Sequence, residues 1–367
     1  MNIKNLPTPA VIMYLDIMED NIKRYHDLAK KHNKDIWPMT KTHKSKELMK
    51  YQIDNGATGL LCGTLDECEA AKEIGIENIM YAYPVGEDSA IDRVIELSKT
   101  GNFIIRIDNL EAAKLINEKA KNADVKINYT VIINAGLGRF GIEKETLLDF
   151  MKEMKKLDQL VFKGLSTHPG QVYGGQDKDF VKKCSDDERA IIAYAKAELE
   201  KIGEKAEYIT TGATPTFEDS IADENFTTYH PGNYIFNDAI QISLGVANEE
   251  NCALRVLASI TTNPHDGLYM SDAGAKLLGL DMGAHGNESI VGHGRIVGHP
   301  NATIVSLSEE VGKIEAPQGE FKIGERIEII ANHTCVVANL TSYIYGIRNG
   351  EVEKVFEVDI RGNSKRF

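Results

Sequence analysis

Residues 35–44 read DIWPMTKTHK. The first part is strand-like, with Ile36, Trp37 and Met39 around Pro38, and the chain then breaks into charge at Lys41, His43 and Lys44, followed by Lys46. A lysine at the end of a buried strand is expensive to desolvate, because its ammonium loses hydration. Burial and neighbouring cations both disfavour the charged form and leave an amine able to attack a carbonyl. The same residues also read as the solvated basic start of a helix, with Lys44 and Lys46 facing water. The surrounding pattern has to decide.

Outward from this stretch, strand and helix alternate. PAVIMYLD (9–16) reads as an apolar strand and 17–32 as an amphipathic helix. Strand candidates follow at 35–41, 59–64, 78–84, 102–108, 127–135, 162–168, 207–211 and 227–236, with helical stretches such as LDECEAAKEIGI and NLEAAKLINEKAKNA between most of them. Eight strands with helical crossovers predict an α/β fold, a (β/α)8 TIM barrel, with an open doubly wound sheet as the alternative. After about residue 240 short alternating runs separated by Gly, Asn and His-Pro predict an all-β domain, with Asn349-Gly350 as a hairpin turn. The expected domains are a barrel over 10–241 and a C-terminal all-β domain over 242–367 that takes in residues 1–9.

The chain has 367 residues, long enough for a barrel and a second domain. Its 42% apolar and 26% charged residues are those of a soluble globular protein. No run of 18 apolar residues occurs, so no membrane span is expected. MNIKNLPTP lacks the apolar core of a signal peptide, which predicts a cytoplasmic protein. A net charge of −13 argues against a nucleic-acid groove, which needs clustered Lys and Arg. The five cysteines (Cys62, Cys68, Cys184, Cys252, Cys335) are odd in number and scattered, so no disulfide framework is implied.

A barrel carries its site at the C-terminal ends of its strands. There the sequence places Lys41, Arg139 in NAGLGRFG, His168 in STHPGQVYG, and TGATPT from Thr211 to Thr216. TGATPT is a small-residue turn whose backbone N–H groups suit a phosphate; it also reads as an ordinary Gly-Pro turn. Gly136, Gly138 and Gly141 satisfy G-x-G-x-x-G, a dinucleotide pattern. The acidic residue such a fold needs at the end of the next strand is lacking, because Asp158 precedes LVFKGL. In ANHTCVVANL, read as a strand, His333 and Cys335 share a face and could ligate Zn²⁺; a buried His and a core Cys are the plainer reading. His265, His285, His293 and His299 sit beside Gly or Pro and read as loop residues.

P-x-x-K-T-H-K resembles the lysine motif of the D-threonine aldolase and D-serine dehydratase family, fold-type III pyridoxal-phosphate enzymes with the alanine racemase fold. The resemblance runs from Thr8-Pro9 to Arg361-Gly362. It implies that Lys41 forms the Schiff base with pyridoxal 5'-phosphate. It further implies that Arg139 approaches the phenolic oxygen, that His168 stacks on the ring, and that Tyr173 also contacts the cofactor. Thr211, Gly212 and Thr214 then form the phosphate loop, joined by Gly232 and Asn233 of YHPGNYIFND. His230 stands where the family often has arginine, and Trp37 and Met39 where it has Arg and His, which implies a narrower, more apolar pocket. Val311 replaces a frequent histidine, and Asp272 and Lys276 match another family block without an assignable role. His333 and Cys335 resemble the family's H-x-C metal pair, implying Zn²⁺, with Mn²⁺ or Mg²⁺ as alternatives. The expected activity is a metal-dependent lyase of β-hydroxy D-amino acids. It would eliminate water to give a 2-oxo acid and ammonia, or cleave retro-aldol fashion to glycine and an aldehyde; the alternatives are an amino-acid racemase or a non-catalytic pyridoxal-phosphate carrier. The expected partners are a small D-amino acid and a second copy of the chain.

Overall fold

The computed structural model describes residues 1–283 and 287–362. Strand β1 (Ala10–Tyr14) leads into a helix at Leu15–Lys31 and then into eight barrel strands. These are β2 (Asp35–Ile36), β3 (Leu60–Cys62), β4 (Asn78–Tyr81), β5 (Asn102–Ile107), β6 (Ile127–Ile132), β7 (Leu160–Ser166), β8 (Tyr208–Thr211) and β9 (Thr228–Tyr229). All neighbouring pairs are parallel, in the order β2-β9-β8-β7-β6-β5-β4-β3. The ring closes beyond β2, where Leu61 N–H donates to the Pro38 carbonyl at 2.9 Å and Met39 bridges Leu61. Closure excludes the open doubly wound sheet.

The helices between the strands begin where the sequence provides caps. The Thr64 hydroxyl accepts from the Glu67 amide to start Leu65–Glu73, and Asn109 does the same for Leu110–Ala123. Both helices carry acidic residues in the first turn, which suits the positive end of the helix dipole.

Nine strands form the second sheet: β1 and β10 (Leu254–His265), β11 (Leu268–Ser271), β12 (Arg295–Ile296), β13 (Thr303–Leu307), β14 (Gly312–Glu315), β15 (Arg326–Ile330), β16 (Tyr343–Arg348) and β17 (Glu351–Glu357). The reading of residue 10 as the start of the barrel is corrected here. Ala10–Tyr14 pairs antiparallel with β10 and parallel with β16, so it lies in the middle of the second sheet. An apolar strand followed by an amphipathic helix looks like a βα unit, and only the long-range pairing tells them apart. The domain is also not purely β, since ANHTCVVANL forms a helix over Thr334–Leu340. The β16–β17 turn is the expected one, with φ +50° at Asn349 and +75° at Gly350.

Among the described residues no helix is long and apolar enough to cross a membrane. Cys62, Cys68, Cys184 and Cys252 are buried free thiols. Asp272 accepts from Thr8 at 2.6 Å and from the Ser259 amide at 2.7 Å, so it ties the N-terminal segment to the second sheet. Lys276 makes a surface pair with Glu310. His265 ends β10, while His299 bonds to Glu320 at 2.6 Å and packs on Phe321. His285 lies outside the described residues.

One glycine tests the barrel packing. Gly164 in β7 has φ +147°, and a Cβ there would stand 1.7 Å from the Tyr208 carbonyl oxygen of β8. Gly164→Ala is expected to destabilise the protein by about 3 kcal/mol or more. Chemical denaturation would show this as an earlier midpoint, and an unchanged midpoint would refute the tight β7–β8 packing.

Candidate active site

After Met39 the chain leaves the barrel wall in a single 3₁₀ turn, Thr40–Thr42. Lys41 points from this turn into a cavity of about 230 Å³ at the C-terminal ends of the strands. Its Nζ donates to the Tyr83 hydroxyl at 3.2 Å. Lys44 does not face water: it is 6% exposed and paired with the fully buried Glu67 at 2.8 Å. Lys46 is at the surface, beside Glu73.

Most of the expected residues meet Lys41 around this cavity: Arg139, His168, Tyr173, Gly212, Gly232 and Asn233 line it, as do His333 and Cys335. His168 Nδ1–H donates to the Gly212 carbonyl. Burial first, then the charge of Lys41, hold His168 neutral, with a pKa lowered to about 3. A neutral imidazole presents an uncharged face for stacking. Arg139 lies over the rings of Phe140 and Tyr83, with its guanidinium carbon 5.0 and 5.8 Å from their centroids. Burial raises the Tyr173 hydroxyl well above its usual value and keeps it protonated.

Two expectations change. Thr211 does not face the cavity; its hydroxyl donates to Glu188 at 2.7 Å, beside that of Thr167. Trp37 lies in the barrel interior with Leu61, Met80 and Ile104, donating to Thr58 at 3.0 Å, so only Met39 greases the cavity wall. The G-x-G-x-x-G loop does not cradle a pyrophosphate. The amides of Gly136 and Gly138 are bound by Asn134 and that of Gly141 by Asp108, which commits the donors a dinucleotide would need.

The wall also contains groups that the sequence reading passed over. Tyr83 lies two residues beyond β4, at the C-terminal end of a barrel strand, where polar site residues collect. Arg106 projects from β5, nearly fully buried, with Nη2 3.2 Å from Thr210 Oγ1 and a pKa lowered by burial to about 9. A charged residue inside a strand that otherwise reads FIIRI was the available signal. His230 Nδ1–H donates to the Trp37 carbonyl, and burial followed by Arg106 keeps the imidazole neutral.

The cavity fits a phosphorylated aromatic aldehyde. Among the described residues, His230 Nε2 and both side-chain amide atoms of Gln241, in the cavity lining, are buried without a protein partner, as is Thr214 Oγ1 in the adjoining turn. Each is a polar group that an occupant would satisfy. The loops of Gly212 and Gly232 pack against His230 and Thr42 too tightly for a Cβ. Asn233 is held by Asp238 at 2.5 Å and Thr334 at 2.6 Å, which fixes the second loop against the helix that carries Cys335.

His333 caps that helix and Cys335 is in its first turn, so their pairing comes from a helix N-terminus and not from a strand. Burial alone would pull His333 down, but Cys335, Asp238 and Asp281 outweigh it and raise the imidazole to about 9. Burial pushes the Cys335 thiol up, and His333 reverses this. The donor chemistry suits a borderline divalent cation. Asp281 lies 4.0 Å from His333 Nδ1, yet among the described residues no group of three or more His, Cys, Asp or Glu converges as a complete metal cage.

Residues 13–239 match the family model "Alanine racemase, N-terminal domain" and residues 253–347 match "Putative serine dehydratase domain". The chain belongs to the alanine racemase N-terminal domain family. It is 27% identical over 372 residues to a 3-hydroxy-D-aspartate aldolase of Paracoccus denitrificans, covering 99% of this chain and 94% of that one. It is 26% identical to a D-serine dehydratase of Dictyostelium discoideum, covering 95% of each. The crystal structure of a D-threonine aldolase from Filomicrobium marinum superposes with a TM-score of 0.89 at 25% identity, covering 98% of this chain and 96% of that one.

Glu188 sits behind this wall and makes the site pH-sensitive. It is fully buried, and burial raises its pKa from 4.5 to about 7. The unfolded chain loses this proton above pH 4.5 while the folded protein keeps it to about 7. The stability it contributes is therefore fully present below 4.5 and lost as pH rises to about 7, at most about 3 kcal/mol. Glu188→Gln keeps an acceptor for Thr167 and Thr211 but does not ionise. Its stability relative to wild type is expected to climb from pH 4.5 to 7 in denaturation curves, and a flat difference would contradict the assignment.

Proposed function

We propose that this protein is a pyridoxal-phosphate- and divalent-metal-dependent lyase that removes water from a β-hydroxy D-amino acid, giving a 2-oxo acid and ammonia. The observation that carries the proposal is Lys41 Nζ standing at the wall of a cavity ringed by Arg139, His168, Tyr173 and the Gly212 and Gly232 loops. Full-length likeness to lyases named for D-serine, D-threonine and 3-hydroxy-D-aspartate supports the substrate class. The protein works as a homodimer in the cytoplasm.

The bound cofactor supplies an electron sink for the pair left when a substrate Cα–H bond breaks. The chain's own residues do the rest. Lys41 would hold the cofactor, and its amine is placed to act as the base at the substrate Cα. His168 gives a neutral face to the ring, and the Gly212, Thr214, Gly232 and Asn233 loops provide a phosphate site. Arg139 brings its guanidinium to the cavity wall, where it would meet an anionic group of the ligand. His333 and Cys335 would hold Zn²⁺, with Mn²⁺ or Mg²⁺ as alternatives, to act as a Lewis acid at the substrate hydroxyl. The soft Cys335 sulfur favours zinc.

Retro-aldol cleavage is the second reading, favoured by the likeness to two aldolases. Product analysis separates the two. With cofactor and zinc, D-threonine is expected to give 2-oxobutanoate and ammonia. Glycine and acetaldehyde would make the protein an aldolase, and epimerised threonine alone a racemase. Lys41→Ala is expected to lose at least about 10³-fold in turnover. Dialysis against a chelator should abolish turnover and added zinc should restore it.

A further inference from the structure

We propose that Tyr83 is a catalytic acid of this lyase, passing a proton between Lys41 and the β-oxygen of the substrate. The proposal rests on the lyase reading above and names the group that directs it to elimination.

The geometry is specific. Tyr83 lines the cavity, and its hydroxyl oxygen accepts from Lys41 Nζ at 3.2 Å. Among the described residues its own O–H donates to no protein group, so this proton is available to a ligand. The ring is held on three sides. Tyr81 meets it edge-on with centroids 6.3 Å apart, Phe140 packs at 5.8 Å, and the Arg139 guanidinium lies over it at 5.8 Å. A lysine that removes the α-proton stands within about one hydrogen bond of Cα. A hydroxyl 3.2 Å from that lysine and lining the same cavity is placed, on this proposal, to meet the β-oxygen on the neighbouring carbon. Of the other wall residues flanking Lys41, Met39 has neither a proton to give nor a strong acceptor, and the Thr42 hydroxyl is turned to Cys335 Sγ at 3.6 Å.

The step balances within these groups. The Cα–H bond breaks and its proton goes to the Lys41 amine. The electron pair left on Cα forms the Cα–Cβ double bond as the Cβ–O bond breaks. The Tyr83 O–H proton passes to the departing oxygen, which leaves as water. Tyr83 then recovers a proton from the Lys41 ammonium along the hydrogen bond they share. The enamine product takes up water and releases ammonia, with no oxidant or reductant needed.

Tyr83→Phe removes the acid and leaves the ring packing. The test compares it with wild type, both loaded with pyridoxal phosphate and zinc, in D₂O. The substrate is whichever of D-threonine, D-serine and threo-3-hydroxy-D-aspartate wild type turns over fastest. Product formation is expected to fall about 10²- to 10⁴-fold. Deuterium incorporation at Cα of recovered substrate should stay within about threefold of wild type, because Lys41 still works. Unchanged thermal melting and cofactor absorbance would show that the variant is folded and loaded. A parallel fall in exchange and product would overturn the relay, as would wild-type elimination by the variant or glycine and aldehyde as products. If wild type neither binds the cofactor nor turns over any of the three substrates, the lyase reading itself fails and takes the relay with it.

Discussion

The site depends on a carboxylate buried beneath it. Glu67 has no solvent exposure and receives Lys44 Nζ at 2.8 Å, the Thr40 hydroxyl at 2.6 Å, the Gly63 amide at 2.7 Å and the Thr64 hydroxyl at 3.3 Å. An isolated carboxylate in a dry interior costs several kcal/mol, and it persists only when partners fill its lone pairs. Here every partner comes from the KTHK turn or from the end of β3 and its helix cap. Solvating Glu67 would release all of them together, so the turn that aims Lys41 has one stable conformation. Gly63 makes the fit possible: a Cβ there would stand 2.8 Å from Lys41 Cβ. The Lys44 carbonyl then accepts the Ile360 amide at 3.0 Å, tying the end of the second domain to the same knot.

A second buried chain of bonds runs from the same turn. The Ser45 amide donates to His43 Nδ1, which places the His43 proton on Nε2, facing Gln52 Oε1. Gln52 donates to the Tyr234 hydroxyl, which donates to His26 Nε2, and His26 Nδ1–H ends the series on the Asn55 carbonyl. Each donor has one acceptor, so the direction is determined throughout. Burial lowers His43 to about 4 and also lowers His26, which keeps both rings neutral as the chain of bonds requires. This polar core links the lysine turn to Tyr234, next to the Gly232–Asn233 loop. The lysine and the phosphate site thus share one rigid support.

How much of this the sequence could reveal depended on the range of the interaction. The barrel was legible because each βα unit repeats a local pattern, and closure needs only eight of them. Lys41, Arg139 and His168 were legible because barrel chemistry collects at strand ends. Membership of β1 was not, since its partners lie more than 240 residues away in β10 and more than 330 away in β16. The helix at 334–340 was hidden by β-branched and aromatic texture on either side. Thr211 was misjudged because backbone position does not say where a hydroxyl points, and Glu188 claimed it from another helix. Glu67 gave no signal at all, being one of the acidic residues in an ordinary amphipathic helix.

The cavity also shows how an acidic protein, at a net charge of −13, can serve an anionic ligand. Burial strips the charge from His168 and His230, while Lys41, Arg106 and Arg139 are basic side chains that line the barrel side of the cavity. The imidazoles provide surface and shape, and the guanidinium groups provide attraction. What remains undetermined by charge is which bond of the substrate breaks, and that falls to the groups nearest the β-oxygen. A base there draws off the hydroxyl proton and opens Cα–Cβ; an acid or a metal helps the oxygen depart. Met39 provides neither, Cys335 and His333 approach from the second domain, and Tyr83 alone shares a hydrogen bond with the lysine among the described residues. Among the described residues the one carboxylate lining the cavity, Asp238, is engaged by Asn233 and Thr334, so the hydroxyl of Tyr83 and the His333–Cys335 pair are the groups on which the proposed departure of the oxygen rests.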